Sequence, residues 1–347
     1  MREPIALTSS RGDERGVVRQ LSVIFISACA ALIGLFGMTE ARGQDRLPVV
    51  GILSFFGSDH DTTWDRLGMQ PFRRSLANDG WVEGKNVMFE YANANGDPSQ
   101  LSKAAEDLVK RKVDIIMAES APALRAAFAA THTISIVGAD LTTEPVVEGY
   151  VESYAHPGKN VTGVFLDAPE FAGKWFELLK QLDPALSRVA VLWDPAPGPT
   201  HLQAVRSVAA SLNIKLQVLE VRKPEDIDVA FSSMSERTQA VVILPSPMNY
   251  WQSPRLAKLA RQYRLPATSM ALEFANAGGA IAYGPDTNAI FQRSAVLVGK
   301  ILGGASAADV PVERPSKISL VVNLKTARSL GIAIPQSILL RADKVIR

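Results

Sequence analysis

Cysteine is almost absent from this chain: among 347 residues there is only Cys29. That residue falls in an N-terminal stretch with the marks of a removable signal. The mature protein is therefore expected to have no disulfide framework, no thiolate nucleophile and no cysteine metal site. Histidine is nearly as scarce. His60, His132, His156 and His201 stand apart, none with a second ligand at metal-binding spacing. An excess of either charge is missing too, since 37 Lys and Arg face 35 Asp and Glu. The basic residues are spread as solvated helix faces would spread them, which gives no footprint for nucleic acid. No phosphate-binding Gly-x-x-x-x-Gly-Lys-Ser/Thr loop is present, and no Gly-x-Gly-x-x-Gly follows the first strand. Gly-x-Ser-x-Gly and His-Glu-x-x-His are absent as well. The expectation is a protein that is not an enzyme, without cofactor or bound metal. His60, in Asp59–His60–Asp61, reads as part of a solvated loop.

Long apolar runs are few, and the longest is N-terminal. Arg11, Arg15 and Arg19 precede uncharged Leu21–Met38, and polar Thr39–Gln44 follows. Ala41 and Gly43 sit three and one residues before a cut at Gln44. A basic region, an apolar region and a small-residue cleavage site make up a secretory signal. Two other outcomes stay open. The apolar stretch is nearly long enough for a retained anchor, and Ile26–Ser27–Ala28–Cys29 matches the box before a lipid-modified cysteine. Against lipidation, the residues after Cys29 remain apolar to Met38. The reading is a signal peptide over residues 1–43 and a periplasmic mature protein.

Beyond the signal, helix and strand periods alternate. Leu101, Ala104, Ala105, Leu108 and Val109 recur at helical spacing. Ile115–Ala118 is then an apolar run too short for a helix. Val49–Ser54, Val87–Tyr91, Ser135–Asp140 and Val161–Phe165 also read as buried strands, as do Val189–Trp193, Leu216–Val221 and Ala240–Leu244. A helix with Trp64, Leu67, Phe72 and Leu76 on one side is interrupted at Pro71. Continuous apolar strands separated by helices mean parallel sheets covered on both faces. Residues 141–160 lack a clean period and divide the chain into two such runs. Three strand-like crossings, near 161–167, 280–286 and 317–323, suit two lobes around a hinged cleft. The predicted fold is α/β, with two doubly wound Rossmann-like lobes: 47–162 plus 285–317, and 163–284 plus 318–347.

Sheets of this kind bind ligands beyond the carboxyl ends of their strands. The candidates there are Ser54, Phe55, Ser120, Asp140, Thr142, Trp193, Asp194, Ser246, Glu273 and Tyr283. Hydroxyls, carboxylates and aromatics together can orient a small polar solute and cover its apolar part. Phe55 and Trp193, one in each lobe, are expected to sandwich that part. Carboxylates would take an ammonium group and hydroxyls a carboxylate. The plainer alternative has Asp140 and Asp194 capping turns and Trp193 packing under its lobe. No nucleophile backed by an oriented base appears in the set.

A series of short stretches carries a family resemblance. Gly80–Trp81–Val82–Glu83–Gly84–Lys85–Asn86–Val87 with Glu90–Tyr91, Ala105–Val109, Pro157–Gly163, Glu273–Gly279, Tyr283–Gly284 and Asn323–Ala327 occur in family order. The chain from Val49 to Arg347 resembles bacterial ABC-transporter substrate-binding proteins of the tryptophan-type group. That resemblance implies a type I periplasmic-binding-protein fold with three crossovers, a small-molecule solute between the lobes, and partner permease and ATPase subunits. A monomer without a nucleic-acid partner is expected. Two turns depart from the family pattern. Asp140–Leu141–Thr142–Thr143–Glu144–Pro145 stands where relatives commonly have Gly-Asp-Pro, and Trp193–Asp194–Pro195 where they have Asn-Pro. A periplasmic sensing domain or a doubly wound enzyme are the rival functions. A cytoplasmic regulator would need a helix-turn-helix before Val49, where the signal-like segment lies.

Expressed in a Gram-negative host, the protein should be recovered from the periplasm about 41–43 residues short, as the signal layout requires. Mass spectrometry of its N-terminus checks this. Full-length protein in the cytosol or inner membrane would overturn it.

Overall fold

Strand β1, Val49–Ser54, is buried along nearly its whole length, as its unbroken apolar sequence requires. A computed structural model describes residue 1 and residues 46–55, 65–166 and 168–347. The expected signal segment, Cys29, His60 and Trp64 lie outside the described residues. Residues 47–347 form one compact unit built on two sheets.

The first sheet has the order β2-β1-β3-β4-β5. Its other strands are β2 Met88–Asn93, β3 Ile115–Ala118, β4 Ser135–Asp140 and β5 Val161–Phe165, all paired in parallel. Parallel strands need crossover helices. These are α1 Gln70–Asn78, α2 Leu101–Lys110 and α3 Ala121–Ala130. Pro71 lies in the first turn of α1, directly after a π-helical turn over Asp65–Met69. There its missing N–H costs nothing.

The second sheet has the order β12-β11-β10-β9-β8-β6-β7. Its strands are β6 Arg188–Trp193, β7 Lys215–Glu220, β8 Ala240–Ile243, β9 Ala267–Ser269, β10 Ile281–Pro285, β11 Ile318–Asn323 and β12 Lys344–Ile346. Only β10 and β11 run antiparallel. Helix α4 Ala168–Leu182 precedes its first strand, and α5 Thr200–Ser211, α6 Asp226–Ser232, α7 Pro247–Trp251, α8 Ser253–Gln262 and α9 Leu272–Asn276 follow its strands. Helix α10, Thr287–Leu302, belongs with the first sheet: Ile290, Phe291 and Val298 share a core with Val50, Ile52 and Phe72. Two short helices, α11 Leu324–Ser329 and α12 Gln336–Leu339, precede β12. The α/β architecture expected from the alternation is the one observed.

Three segments pass between the sheets: β5 to α4, β10 to α10, and residues 303–317 back to β11. They are bonded to one another. Phe165 N donates to Glu313 O at 2.8 Å, Glu313 N to Gly163 O at 2.9 Å, and Asp286 N to Lys317 O at 3.0 Å. Strand β5 stays in the first sheet through Phe165, so the crossing begins three residues later than the boundary drawn at 162. The close approach of β5 to β4 requires glycine at 163. Its φ is +152°, and a Cβ there would lie 2.1 Å from Gly138 O.

Gly163→Ala should therefore cost on the order of 2–4 kcal/mol in denaturant unfolding, because backbone rather than a movable side chain blocks the methyl group. Gly173→Ala is the control. Gly173 is inside α4 with open space around its Cβ direction, so alanine there should stabilise by up to ~1 kcal/mol. Equal effects at the two positions would contradict this account.

Candidate functional site

The carboxyl ends of strands from both sheets border one cavity. From the first sheet come Ser120 and Ala121 after β3, and Leu141 and Thr142 after β4. The second contributes Ser246 and Asn249 after β8, Met270 after β9, and Pro285 with Thr287 after β10. Ile290 and Phe291 of α10 complete an apolar wall with Leu141, Leu244 and Met270. The cavity itself measures about 130 Å³ and opens to solvent on one side.

Helix starts set the polar side. Ser120 caps α3 from an extended conformation, its hydroxyl accepting from Ala123 N at 3.4 Å. Ten-residue α3 directs its positive end toward the same region. Ser246 caps α7 and accepts from Asn249 N at 3.0 Å. Glu119, the residue before Ser120, also borders the cavity. Its Oε1 accepts from Phe55 N at 2.9 Å and from the Ser54 hydroxyl.

The ten residues singled out in the sequence fall into groups. Ser120, Thr142 and Ser246 line the cavity. Ser54 and Phe55 lie behind it, tied to Glu119. The Phe55 ring is buried in the core with Leu101, Leu124 and Tyr150. Asp140 is wholly buried and organises its own turn. Its carboxylate accepts from Thr142 N at 2.8 Å, Thr142 Oγ1 at 2.9 Å, Thr143 N at 3.2 Å and the Thr143 hydroxyl. Burial raises the Asp140 pKa, and those hydrogen bonds oppose the rise. Asp194 accepts from Ala196 N at 2.9 Å, and burial raises its pKa likewise. Trp193 packs on the core around Trp175 and Phe176, its Nε1 donating to Gly198 O at 3.4 Å. Tyr283 stacks beside Phe171, ring centres 5.6 Å apart, and its carbonyl accepts from Trp175 Nε1. Neither Phe55 nor Trp193 is among the residues lining the cavity, because each packs inward on its own lobe. Glu273 is half-buried beside Tyr250. Burial raises its pKa, and burial with the nearby Glu273 carboxylate pushes the Tyr250 hydroxyl well above 10.

Glu119, Asn249, Tyr250, Met270, Ile290 and Phe291 were not anticipated. Ile290 and Phe291 lie on an apolar helix face that reads simply as core. Asn249 and Tyr250 belong to α7, too short to show a period.

The lobes also touch beside the cavity. Arg125 of α3 donates to Ala196 O and Pro197 O, both at 3.1 Å. His201 of α5 places Nε2 2.9 Å from Leu141 O. A carbonyl only accepts, so Nε2 carries the proton. The first contact falls just past the Trp193–Pro195 turn and the second on Leu141 in the Asp140–Pro145 turn. Among the described residues no cluster of His, Cys, Asp or Glu could hold a metal ion, and no helix is long and apolar enough to cross a membrane.

Comparison with known proteins places the family and the fold. A family model for ABC transporter substrate binding protein matches residues 58–346. A tyrosine-binding protein of Clostridioides difficile (strain R20291) is 24% identical over 263 residues, 75% of each chain. Among solved structures, a conserved domain protein from Vibrio cholerae superposes with a TM-score of 0.79 at 27% identity, over 86% of this chain and 100% of that one. An ABC domain in complex with L-Trp from Streptococcus pneumonia gives 0.78 at 24% identity, over 87% and 100%.

Burial pulls the His201 pKa down to about 4, against ~6.5 for a solvated histidine. The unfolded chain takes up this proton as pH falls below ~6.5, while the folded form resists until about 4. Stability should therefore be full above ~6.5, decline through that window, and gain no further loss from this group below it. His201→Gln, whose amide can still donate to Leu141 O, should flatten that part of a melting-temperature profile. Parallel profiles for the two proteins would remove His201 as the cause.

Proposed function

The chain belongs to the family of ABC transporter substrate binding proteins, and from that membership we propose that it is the exported receptor of an importer. The fold is that of the type I periplasmic binding proteins. In this reading the mature protein captures an amino acid with an apolar or aromatic side chain and presents it to a membrane permease driven by an ATPase. One lobe comprises residues 47–165 with 285–317, and the other 168–284 with 318–347.

The composition of the cavity carries the reading. Ser120, Thr142 and the start of α3 offer hydroxyls and a positive helix end suited to a carboxylate. Leu141, Met270, Ile290 and Phe291 form an apolar wall for the side chain. Supporting the choice of ligand, one relative is a tyrosine-binding protein and another was crystallised with L-Trp. Because both lobes contact the solute, binding favours the closed arrangement by its differential affinity for it. The Arg125 and His201 contacts join the two lobes and would break if the lobes moved apart.

Calorimetric titration with all twenty amino acids tests the proposal, combined with small-angle scattering at saturation. One or more apolar or aromatic amino acids should bind with a micromolar or tighter Kd and reduce the radius of gyration. The absence of binding by every amino acid would overturn the ligand class. Binding without any change in the scattering profile would overturn hinge closure.

A further inference from the structure

Asn249 stands out among the cavity residues because half of its amide is unused. Only 3% of the residue is exposed. Its backbone N–H is taken by Ser246 Oγ at 3.0 Å, and its Nδ2 donates to Leu244 O at 2.9 Å. The second bond fixes which way the amide faces. Leu244 O can only accept, so the nitrogen must point to it and Oδ1 must point elsewhere. Oδ1 is buried and meets no donor. A buried acceptor without a donor carries a desolvation penalty that the fold does not recover. In a residue lining a ligand cavity, the ligand is the natural source of the missing donor.

The rest of the lining narrows the donor's chemistry. Lys, Arg and His do not occur among the described residues that line the cavity. Ser120, Thr142, Ser246, Ser269 and Thr287 bear hydroxyls, which donate as readily as they accept. The side-chain oxygens there that can only accept are Asn249 Oδ1 and the Glu119 carboxylate, which is tied into the first lobe through Ser54 and Phe55. An ammonium group has three N–H donors and no acceptor, so it needs pure acceptors more than any other part of an amino acid does.

We infer that Asn249 is the specificity-determining residue for the amine of the solute, its Oδ1 accepting an N–H from the α-ammonium group. The inference rests on the amino-acid reading proposed above. It makes this receptor discriminate an amino acid from the carboxylic acid of the same shape that lacks the amine. An acid without the amine leaves Oδ1 unpaired in the closed, desolvated cleft.

The test crosses ligand with variant. L-tryptophan and L-tyrosine are titrated against indole-3-propionate and 3-(4-hydroxyphenyl)propionate, using the full chain as exported. Wild-type protein should bind an amino acid at least tenfold more tightly than its deamino partner. Asn249→Ala should weaken the amino acid tenfold or more and its deamino partner less than threefold. Asn249→Gln keeps an amide that can donate to Leu244 O and still accept, so it should retain a preference for the amino acid over its deamino partner. That variant keeps the question answerable if alanine prevents folding. Equal weakening of both ligands by Asn249→Ala, or loss of the preference in a folded Asn249→Gln, would overturn the inference and leave the amino-acid reading standing. If neither amino acid binds wild-type protein, the inference falls, and the twenty-amino-acid titration decides the broader reading separately.

Discussion

The buried carboxylate of Asp140 is the interaction on which the cleft depends. Moving a carboxylate out of water is costly unless hydrogen bonds replace its hydration. Here Thr142 and Thr143 supply two backbone and two hydroxyl donors. Those four bonds hold the turn after β4 in place. Thr142 is thereby placed on the cavity wall, and the Leu141 carbonyl is directed across the cleft to His201. Leu141 itself contacts the cores of both lobes. A turn that could relax would loosen the ligand wall and the interlobe contact together.

The crossings impose the complementary constraint. Their mutual backbone bonds are reinforced by ion pairs. Lys317 Nζ lies 2.6 Å from Asp286, which also caps α10 by accepting from Asn288 N at 3.0 Å. Arg293 of α10 holds Glu313 with both arms of its guanidinium. Exposed pairs such as these contribute only ~0–1 kcal/mol each, so their role is geometric. They tie the three segments to one another where they pass between the sheets.

Much of this was legible in the sequence because the residues responsible act locally. The apolar runs Ser135–Asp140 and Val161–Phe165 became strands with the bounds expected. Several stretches that carry the family resemblance turn out to be turn builders. Asn86 bridges Gly80 O and Val82 N, Asn160 donates to Thr131 O and Ile134 O, and Asn323 caps α11 while donating to Ala275 O. They specify scaffold, which is why they point to the fold without naming the solute. What escaped was short or non-local. Three-residue β9 and β12 take their stability from neighbouring strands rather than from any period of their own. The inward packing of Phe55 and Trp193 depends on helices distant in sequence. A strand-end position says which edge of the sheet a side chain occupies, and says nothing of what packs beside it.

Ile290 and Phe291 show why ligand fit and stability are joined in this design. Both line the cavity and both belong to the core beneath it. The Phe291 ring is so close to the chain at Gly68 that a Cβ there would come within 2.9 Å of it. Cores at this density transmit small changes of shape. The apolar wall is thus the outer edge of the first lobe's core, while the polar contacts come from turns that side chains such as Asp140 hold in place. Substitutions that alter the wall must repack the lobe, and those at Ser120, Thr142 or Asn249 remove bonds that also hold the start of α3, the Asp140 turn or the Leu244 carbonyl. Both the apolar and the polar side of the cavity are therefore tied to the stability of the fold.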